Sequence, residues 1–210
     1  GMQDWNVDPH MAFPTHQIAI DHGFDVKGLY GQWTHDYPDR PDGHDGGIGH
    51  PWSLRWDWAD DLLEWFDFYL RDVGPQPRLI AEIQDDMGGW RVEDTYPPLD
   101  TEWNVTTLDQ CEIISGSDTV TSTSTTTLDC GTMEEDFRII GMPTLHMGAR
   151  ISLLGTSGHL FVEMQRSSDG AHLGHAVMDL RFSDGGKEGK LLVPGETVLA
   201  QMEFFAMDVI

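Results

Sequence analysis

The chain has little positive charge. Its 210 residues include 36 acidic side chains against 12 lysines and arginines, which gives a net charge of −24 at pH 7. A field of this sign repels phosphate backbones and anionic lipid headgroups, so we expect neither nucleic acid nor membrane partners. Only three lysines are present, and 25 of the acids are Asp. This composition is typical of a salt-adapted protein, whose melting temperature would rise steeply with KCl, or of ordinary acidic solubility.

Long apolar runs are also missing. The longest, residues 199–206, is interrupted by Gln201 and Glu203 and falls far short of the roughly 20 residues that cross a bilayer. Residues 1–25 lack the basic start and apolar stretch of a secretory signal, so we expect none in this chain and assign no compartment. The hydrophobic fraction of 39% with eight Trp nevertheless predicts a globular protein with a sizeable core.

Cysteine is scarce, and no metal or cofactor motif is present. Cys111 and Cys130 flank a Thr-rich segment, and their spacing is compatible with a disulfide or with two buried thiols. An acidic loop lacks the order of a calcium-binding EF-hand, and the histidines outside the candidate site have structural interpretations. We therefore predict no metal or cofactor at these positions: Asp36, Asp39, Asp42 and Asp45 in the loop, and His10, His16, His22, His44, His50, His159, His172 and His175.

A run of Gly and Pro at residues 73–77 divides a helical part from a strand-rich part. Before it we predict helices over 9–21 and about 53–72, with Ser53 as N-cap and Gly74 as stop signal, and a strand over 26–30. The second helix should bury Trp56, Trp58 and Trp65 against a sheet. After the run, β-type segments alternate with turns at 79–84, 104–108, 119–127, 137–140, 145–153, 159–165, 176–182 and 197–207. Such spacing predicts a β-sandwich or jelly roll, so we expect two domains, 1–74 and 75–210.

Asp4 and His35 are the candidate catalytic residues. A carboxylate that orients an imidazole, and an imidazole that shuttles a proton, are two members of a hydrolytic triad. One predicted helix and one predicted strand lie between them. Spacing alone is weak support, because 25 Asp and ten His offer many such pairs. The third member is missing, since no Gly-x-Ser-x-Gly nucleophile elbow occurs in the chain.

Several runs resemble, in order, segments of the X-Pro dipeptidyl-peptidase and cocaine-esterase family of α/β-hydrolases. Residues 3–7, Gln-Asp-Trp-Asn-Val, and 30–35, Tyr-Gly-Gln-Trp-Thr-His, resemble its acid and histidine loops. Gln32 stands where the family's histidine loop commonly has Pro. Later runs resemble the helix that leaves the catalytic domain, the opening of the jelly roll and two of its strands: residues 62–70, 90–98, 158–163 and 173–182.

The resemblance implies the C-terminal portion of an α/β-hydrolase domain followed by a jelly-roll β-sandwich truncated at its C-terminus. It implies a serine peptidase that cleaves Xaa-Pro dipeptides from peptide substrates, with Asp4 and His35 in the triad and the Ser outside this chain. Trp5 and Trp33 flank the pair and could line a substrate pocket or pack in the core. The alternatives are an esterase or acylase of the same family, and a non-catalytic sandwich that binds carbohydrate or a protein. Exposed sheet edges predict dimers or larger species.

Overall fold

Two helices lie in the first part of the chain. In a computed structural model, α1 spans Ala12–Asp21 after a 3₁₀ turn at Pro9–Met11, and α2 spans Trp58–Arg71. The first confirms the prediction for 9–21. The second begins later than predicted, because residues 56–57 form a turn and Asp57 takes the N-cap position. It ends as predicted, with Asp72 left-handed at φ 55° and Gly74 at φ 86°. The structure describes residues 1–4, 6–7, 9–35, 37–39, 55–102, 105, 111–115, 125–132, 138–150 and 158–210, so Ser53 lies outside it.

The strands of the described residues are short, and most follow the second helix. In chain order they are β1 Gly28–Tyr30, β2 Ala81–Gln84, β3 Trp90–Glu93, β4 Glu112–Ser115, β5 Thr127–Asp129, β6 Ile139–Gly141, β7 Thr144–Arg150, β8 His159–Gln165, β9 His172–Asp179, β10 Thr197–Glu203 and β11 Met207–Val209. The prediction for 159–165 is confirmed, whereas 197–207 is two strands separated by a break, and residues 180–182 form a 3₁₀ turn after β9. The strand β3 was not predicted. Predicted strand 104–108 lies almost entirely outside the described residues.

One sheet joins the two parts of the chain. β1 pairs in parallel with β2, with Gly28 opposite Ala81, and β2 pairs antiparallel with β3. Parallel neighbours need a long crossover, and this one contains α2. Beneath the sheet, a buried cluster collects side chains from the beginning, middle and end of the chain: Met2, Phe13, Ala81, Ile83, Tyr96 and Ala206. Strands on both sides of the 73–77 run therefore belong to one hydrogen-bonded unit.

Antiparallel pairs form the remainder of the described structure. β7 pairs with β10, β8 with β9, β6 with β11 and β4 with β5. A second buried cluster lies among the later strands and consists of Leu173, Ala176, Leu180, Leu192, Ala200, Met202, Phe204, Met207 and Val209. Alternating burial along β8 and β10 follows the two-residue period of strands with one solvated face. The fold is mostly sheet with few helices, and the jelly roll stays a prediction.

The helix α2 contradicts the predicted burial of its aromatic residues. None of its residues is buried, and Trp56, just before it, is 68% exposed. Ion pairs instead join this segment to the sheet: Arg55 Nη1 lies 2.5 Å from Glu82 Oε2, and Lys27 Nζ lies 3.0 Å from Asp61 Oδ1. The periodicity of the sequence correctly predicts this helix, but it does not show whether another part of the protein covers the apolar side of the helix.

Cys111 and Cys130 form a disulfide beside the β4–β5 pair, which decides between the two alternatives that the sequence left open. No helix among the described residues is long and apolar enough to span a membrane.

Candidate functional site

Two backbone segments run side by side at the site. The Met2 amide donates to the Gly31 carbonyl at 2.8 Å, and the Gln3 amide donates to the Trp33 carbonyl at 3.2 Å. These bonds bring together two side chains that are 31 residues apart, and His35 Nδ1 lies 3.1 Å from Asp4 Oδ2. The structure thus places the predicted acid and histidine in contact.

Asp4 is buried and firmly held. It is 8% exposed, and its Oδ1 accepts the Asn6 amide at 2.9 Å and the Val7 amide at 2.8 Å. Burial alone would raise the pKa of Asp4, but the bonds from Val7, His35 and Asn6 outweigh it and hold that pKa below its usual value. An ionised carboxylate can only accept hydrogen bonds, so the shared proton belongs to His35 Nδ1.

His35 presents its second nitrogen away from the carboxylate. Its side chain is 49% exposed, and no described residue hydrogen-bonds its Nε2. With Nδ1 fixed as donor by Asp4, Nε2 is the nitrogen that is left to accept and donate a proton. Chemically, the pair is the acid and base portion of a proton-transfer triad.

Gln32 is a site residue whose part the sequence did not reveal. Its side chain is 1% exposed, and its Nε2 donates to the Gln84 carbonyl at 3.0 Å and the Asp208 carbonyl at 3.4 Å. Its backbone amide donates to Gln84 Oε1 at 3.0 Å, and its Oε1 accepts from Gln3 Nε2 at 3.2 Å. Gln32 therefore ties the His35 loop to β2, to β11 and to the Asp4 segment. The only signal in the sequence was its departure from the family's Pro, which has no amide N–H to donate.

The structure describes only one of the two tryptophans that flank the Asp4–His35 pair. Trp33 is 4% exposed and its ring lies 6.0 Å from that of Trp90, which is the core alternative of the two given above. Trp5 lies outside the described residues. Trp33 therefore supports the histidine loop by packing.

The structure describes only part of the acidic loop and only some of the other histidines. Among the residues that the structure describes, no group of three or more His, Cys, Asp or Glu side chains is arranged to hold an ion. Of the acidic loop, only Asp39 is described, and His44 and His50 also lie in the undescribed stretch.

Comparison with known proteins gives a likeness of fold. The fold is similar to that of part of an archaeal aminopeptidase. This crystal structure, from the marine sediment archaeon Thaumarchaeota archaeon, aligns with a TM-score of 0.58 and 12% identity over 92% of this chain and 42% of the other. The chain thus spans less than half the length of that neighbour. A CocE/NonD family hydrolase from Staphylococcus aureus aligns at a TM-score of 0.49 and 13% identity, over 72% and 35% of the two chains. No family profile matches the chain, and no curated protein matches it in sequence.

Proposed function

We propose that this chain carries the acid and the histidine of a serine hydrolase, specifically a peptidase of the X-Pro dipeptidyl-peptidase type. The observation that carries the proposal is the 3.1 Å contact between His35 Nδ1 and the buried Asp4 carboxylate. In the reaction, His35 Nε2 takes the proton of a Ser hydroxyl as its oxygen attacks the scissile carbonyl carbon. The same nitrogen then gives that proton to the leaving amine as the C–N bond breaks.

Asp4 supports both proton transfers without changing its own charge. It holds the imidazole in the tautomer with Nδ1 protonated and stabilises the imidazolium that forms when Nε2 takes up a proton. The backbone amides of Asn6 and Val7 on Oδ1 keep the carboxylate oriented while Oδ2 serves His35. The site is therefore organised before any substrate arrives.

The fold likeness supports a peptide substrate over an ester. The archaeal neighbour is an aminopeptidase, and 42% of its chain corresponds to this one. The remainder of such a fold is where the proposal places the nucleophilic Ser and the oxyanion donors, since this chain has no Gly-x-Ser-x-Gly elbow.

The carbohydrate-binding alternative depended on exposed aromatic rings in one segment. Tyr96 is 1% exposed. Trp90 packs against Trp33 and lies beneath the Arg55 guanidinium, 4.8 Å from its ring centre. Trp103 lies outside the described residues. The described rings of this segment are engaged within the protein, so we favour the hydrolase.

The test uses the product of the complete gene, assayed with a Gly-Pro chromogenic amide and with a simple chromogenic ester. We expect amide turnover that is lost in His35→Ala and retained in the control His159→Asn, which alters an exposed histidine on β8. Turnover of the ester alone would overturn the peptidase assignment, and turnover unchanged in His35→Ala would overturn the site. The chain of 210 residues by itself should neither turn over substrate nor react at a Ser with a fluorophosphonate.

A further inference from the structure

The β8–β9 hairpin carries a second carboxylate–imidazole arrangement that the proposed function does not use. In a regular strand, residues three apart such as His172 and His175 project from opposite faces. The β8–β9 register shifts between Met164 and Gln165: Gly174 is opposite Met164, but His172 is opposite Gln165. The extra residue turns His172 to the same face as His175, and their ring centres lie 5.5 Å apart.

The two imidazoles point nitrogen to nitrogen. His172 Nε2 and His175 Nδ1 are 3.4 Å apart. Two nitrogens bound tetrahedrally to one ion, each at about 2.0–2.1 Å, are about 3.3–3.4 Å apart. The pair therefore has the nitrogen separation that a shared tetrahedral ion requires, and each ring has to turn so that its lone pair points at the ion instead of at the other nitrogen.

A carboxylate holds the first ring in the orientation for binding. Glu163 Oε1 lies 2.8 Å from His172 Nδ1. The same oxygen accepts from Gln165 Nε2 at 2.9 Å, and a carboxylate that accepts from Nδ1 keeps the His172 ring proton on that nitrogen. This leaves the lone pair of Nε2 directed at His175. Metal-binding histidines commonly have such a carboxylate on their other nitrogen.

Aromatic contacts hold the second ring. His175 stacks with Phe161 at a centroid distance of 5.5 Å and 28° between planes, and contacts Phe205 at 4.5 Å. Both imidazoles are thus positioned before an ion arrives, which lowers the ordering cost of binding. The net charge of −24 also raises the local concentration of cations.

We propose that His172 and His175 bind one divalent transition-metal ion of the kind that prefers imidazole, such as zinc, nickel or copper. Glu163 acts as the outer partner of His172. Among the described residues, no third such side chain converges on the two imidazoles. Binding replaces the hydrogen bond between the two rings: His175 gives up its proton at Nδ1 and takes one up at Nε2, so both rings bind as neutral imidazoles and no net proton is released. The inference does not depend on the hydrolase assignment.

The test is a titration of the untagged chain with zinc chloride and with nickel chloride, followed by calorimetry and by the histidine side-chain NMR signals. We expect one saturable site tighter than about 100 µM, with the signals of His172 and His175 changing together. His172→Gln and His175→Gln should each weaken binding at least about tenfold, and Glu163→Gln by about 10–100-fold. The matched control is His159→Gln on the same face of β8, which should bind as the wild type does.

Several outcomes would overturn the site. These are the absence of saturable binding up to about 1 mM, unchanged affinity in either His172→Gln or His175→Gln, or an equal loss in His159→Gln. Unchanged affinity in Glu163→Gln would overturn the part given to the carboxylate. Circular dichroism of each variant confirms that it folds, and the near-isosteric Glu163→Gln change keeps the test decisive if a histidine variant unfolds.

Discussion

Two carboxylate–imidazole pairs in this chain have similar contact distances and different surroundings. Asp4 and His35 meet at 3.1 Å, and Glu163 and His172 meet at 2.8 Å. The Asp4 side chain is 11% exposed and held by two backbone amides, whereas the Glu163 side chain is 37% exposed and lies on a strand surface. The remaining nitrogen of His35 meets no described partner, whereas that of His172 faces a second imidazole. The environment of the far nitrogen, more than the pair distance, distinguishes the pair proposed for proton transfer from the pair proposed to bind an ion.

The largest expected effect comes from variants that break the Asp4–His35 pair in the product of the complete gene. His35→Ala and Asp4→Asn should each lower kcat by about 10³-fold or more, because one removes the base and the other its orienting charge. Steady-state kinetics on the amide substrate measures the loss. The control His159→Asn should keep kcat, and wild-type turnover in either site variant would contradict the assignment of Asp4 and His35.

The next effect concerns what holds the first pair in place. Gln32→Leu removes the side-chain donor to the Gln84 carbonyl and the weaker of two donors to the Asp208 carbonyl, which also accepts from the Asp86 amide, so we expect a loss of about 1–3 kcal/mol in the free energy of unfolding. Urea denaturation measures it, and the His35 NMR signals should shift because the loop loses its ties. The matched control, Gln165→Leu, removes an exposed amide beside the second pair and should change stability by less than about 0.5 kcal/mol. Equal losses in the free energy of unfolding in both variants would mean that the bonds of Gln32 do not specifically support the His35 loop.

A smaller effect is the difference between the two carboxylates in how their contribution to the free energy of unfolding depends on pH. The folded state holds the pKa of Asp4 below its unfolded value, so its stabilisation is present above the usual Asp pKa and is lost as the pH falls through the folded value. Asp4→Asn should therefore cost about 1–2 kcal/mol at pH 7 and progressively less below about pH 4. For the exposed Glu163, the Gln variant should cost less than about 0.5 kcal/mol at pH 7. Urea denaturation across pH checks both, and a cost of Asp4→Asn that does not change with pH would show that its charge is not what stabilises the fold.

The smallest expected effect is a difference between the two pairs in how strongly salt lowers their coupling energies. A double-mutant cycle on Glu163 and His172 near pH 5 should give a coupling energy of about 0.2–1 kcal/mol that vanishes by about 1 M KCl, because exposed charges are screened. The coupling of Asp4 with His35 should be retained better, since the carboxylate is buried. Equal salt sensitivity would remove this distinction between the pairs.

The sequence predicted what depends on local pattern. Helix α1 and strand β8 follow from periodicity and turn residues, and the Asp4–His35 contact follows from a resemblance to two short loops. The bonds of Gln32 to Gln84 and Asp208 join residues 52 and 176 positions away, and no local pattern encodes such partners. The β8–β9 bulge could not be predicted for a related reason. The alternation of residues in β9 alone does not show where its pairing with β8 shifts by one residue.

The hydrogen bond between Gln32 and Asp208 also determines when, during synthesis of the chain, the support of the site is completed. Asp4 and His35 leave the ribosome before the carbonyl that completes the support of their loop, because that carbonyl belongs to Asp208 in β11, which is synthesised 173 residues after His35. At about 5–20 residues per second, that interval is roughly 10–35 s. For that time, the nascent chain carries both reactive side chains without the strand that fastens them. The support of the Asp4–His35 pair is thus completed only when β11 has been made.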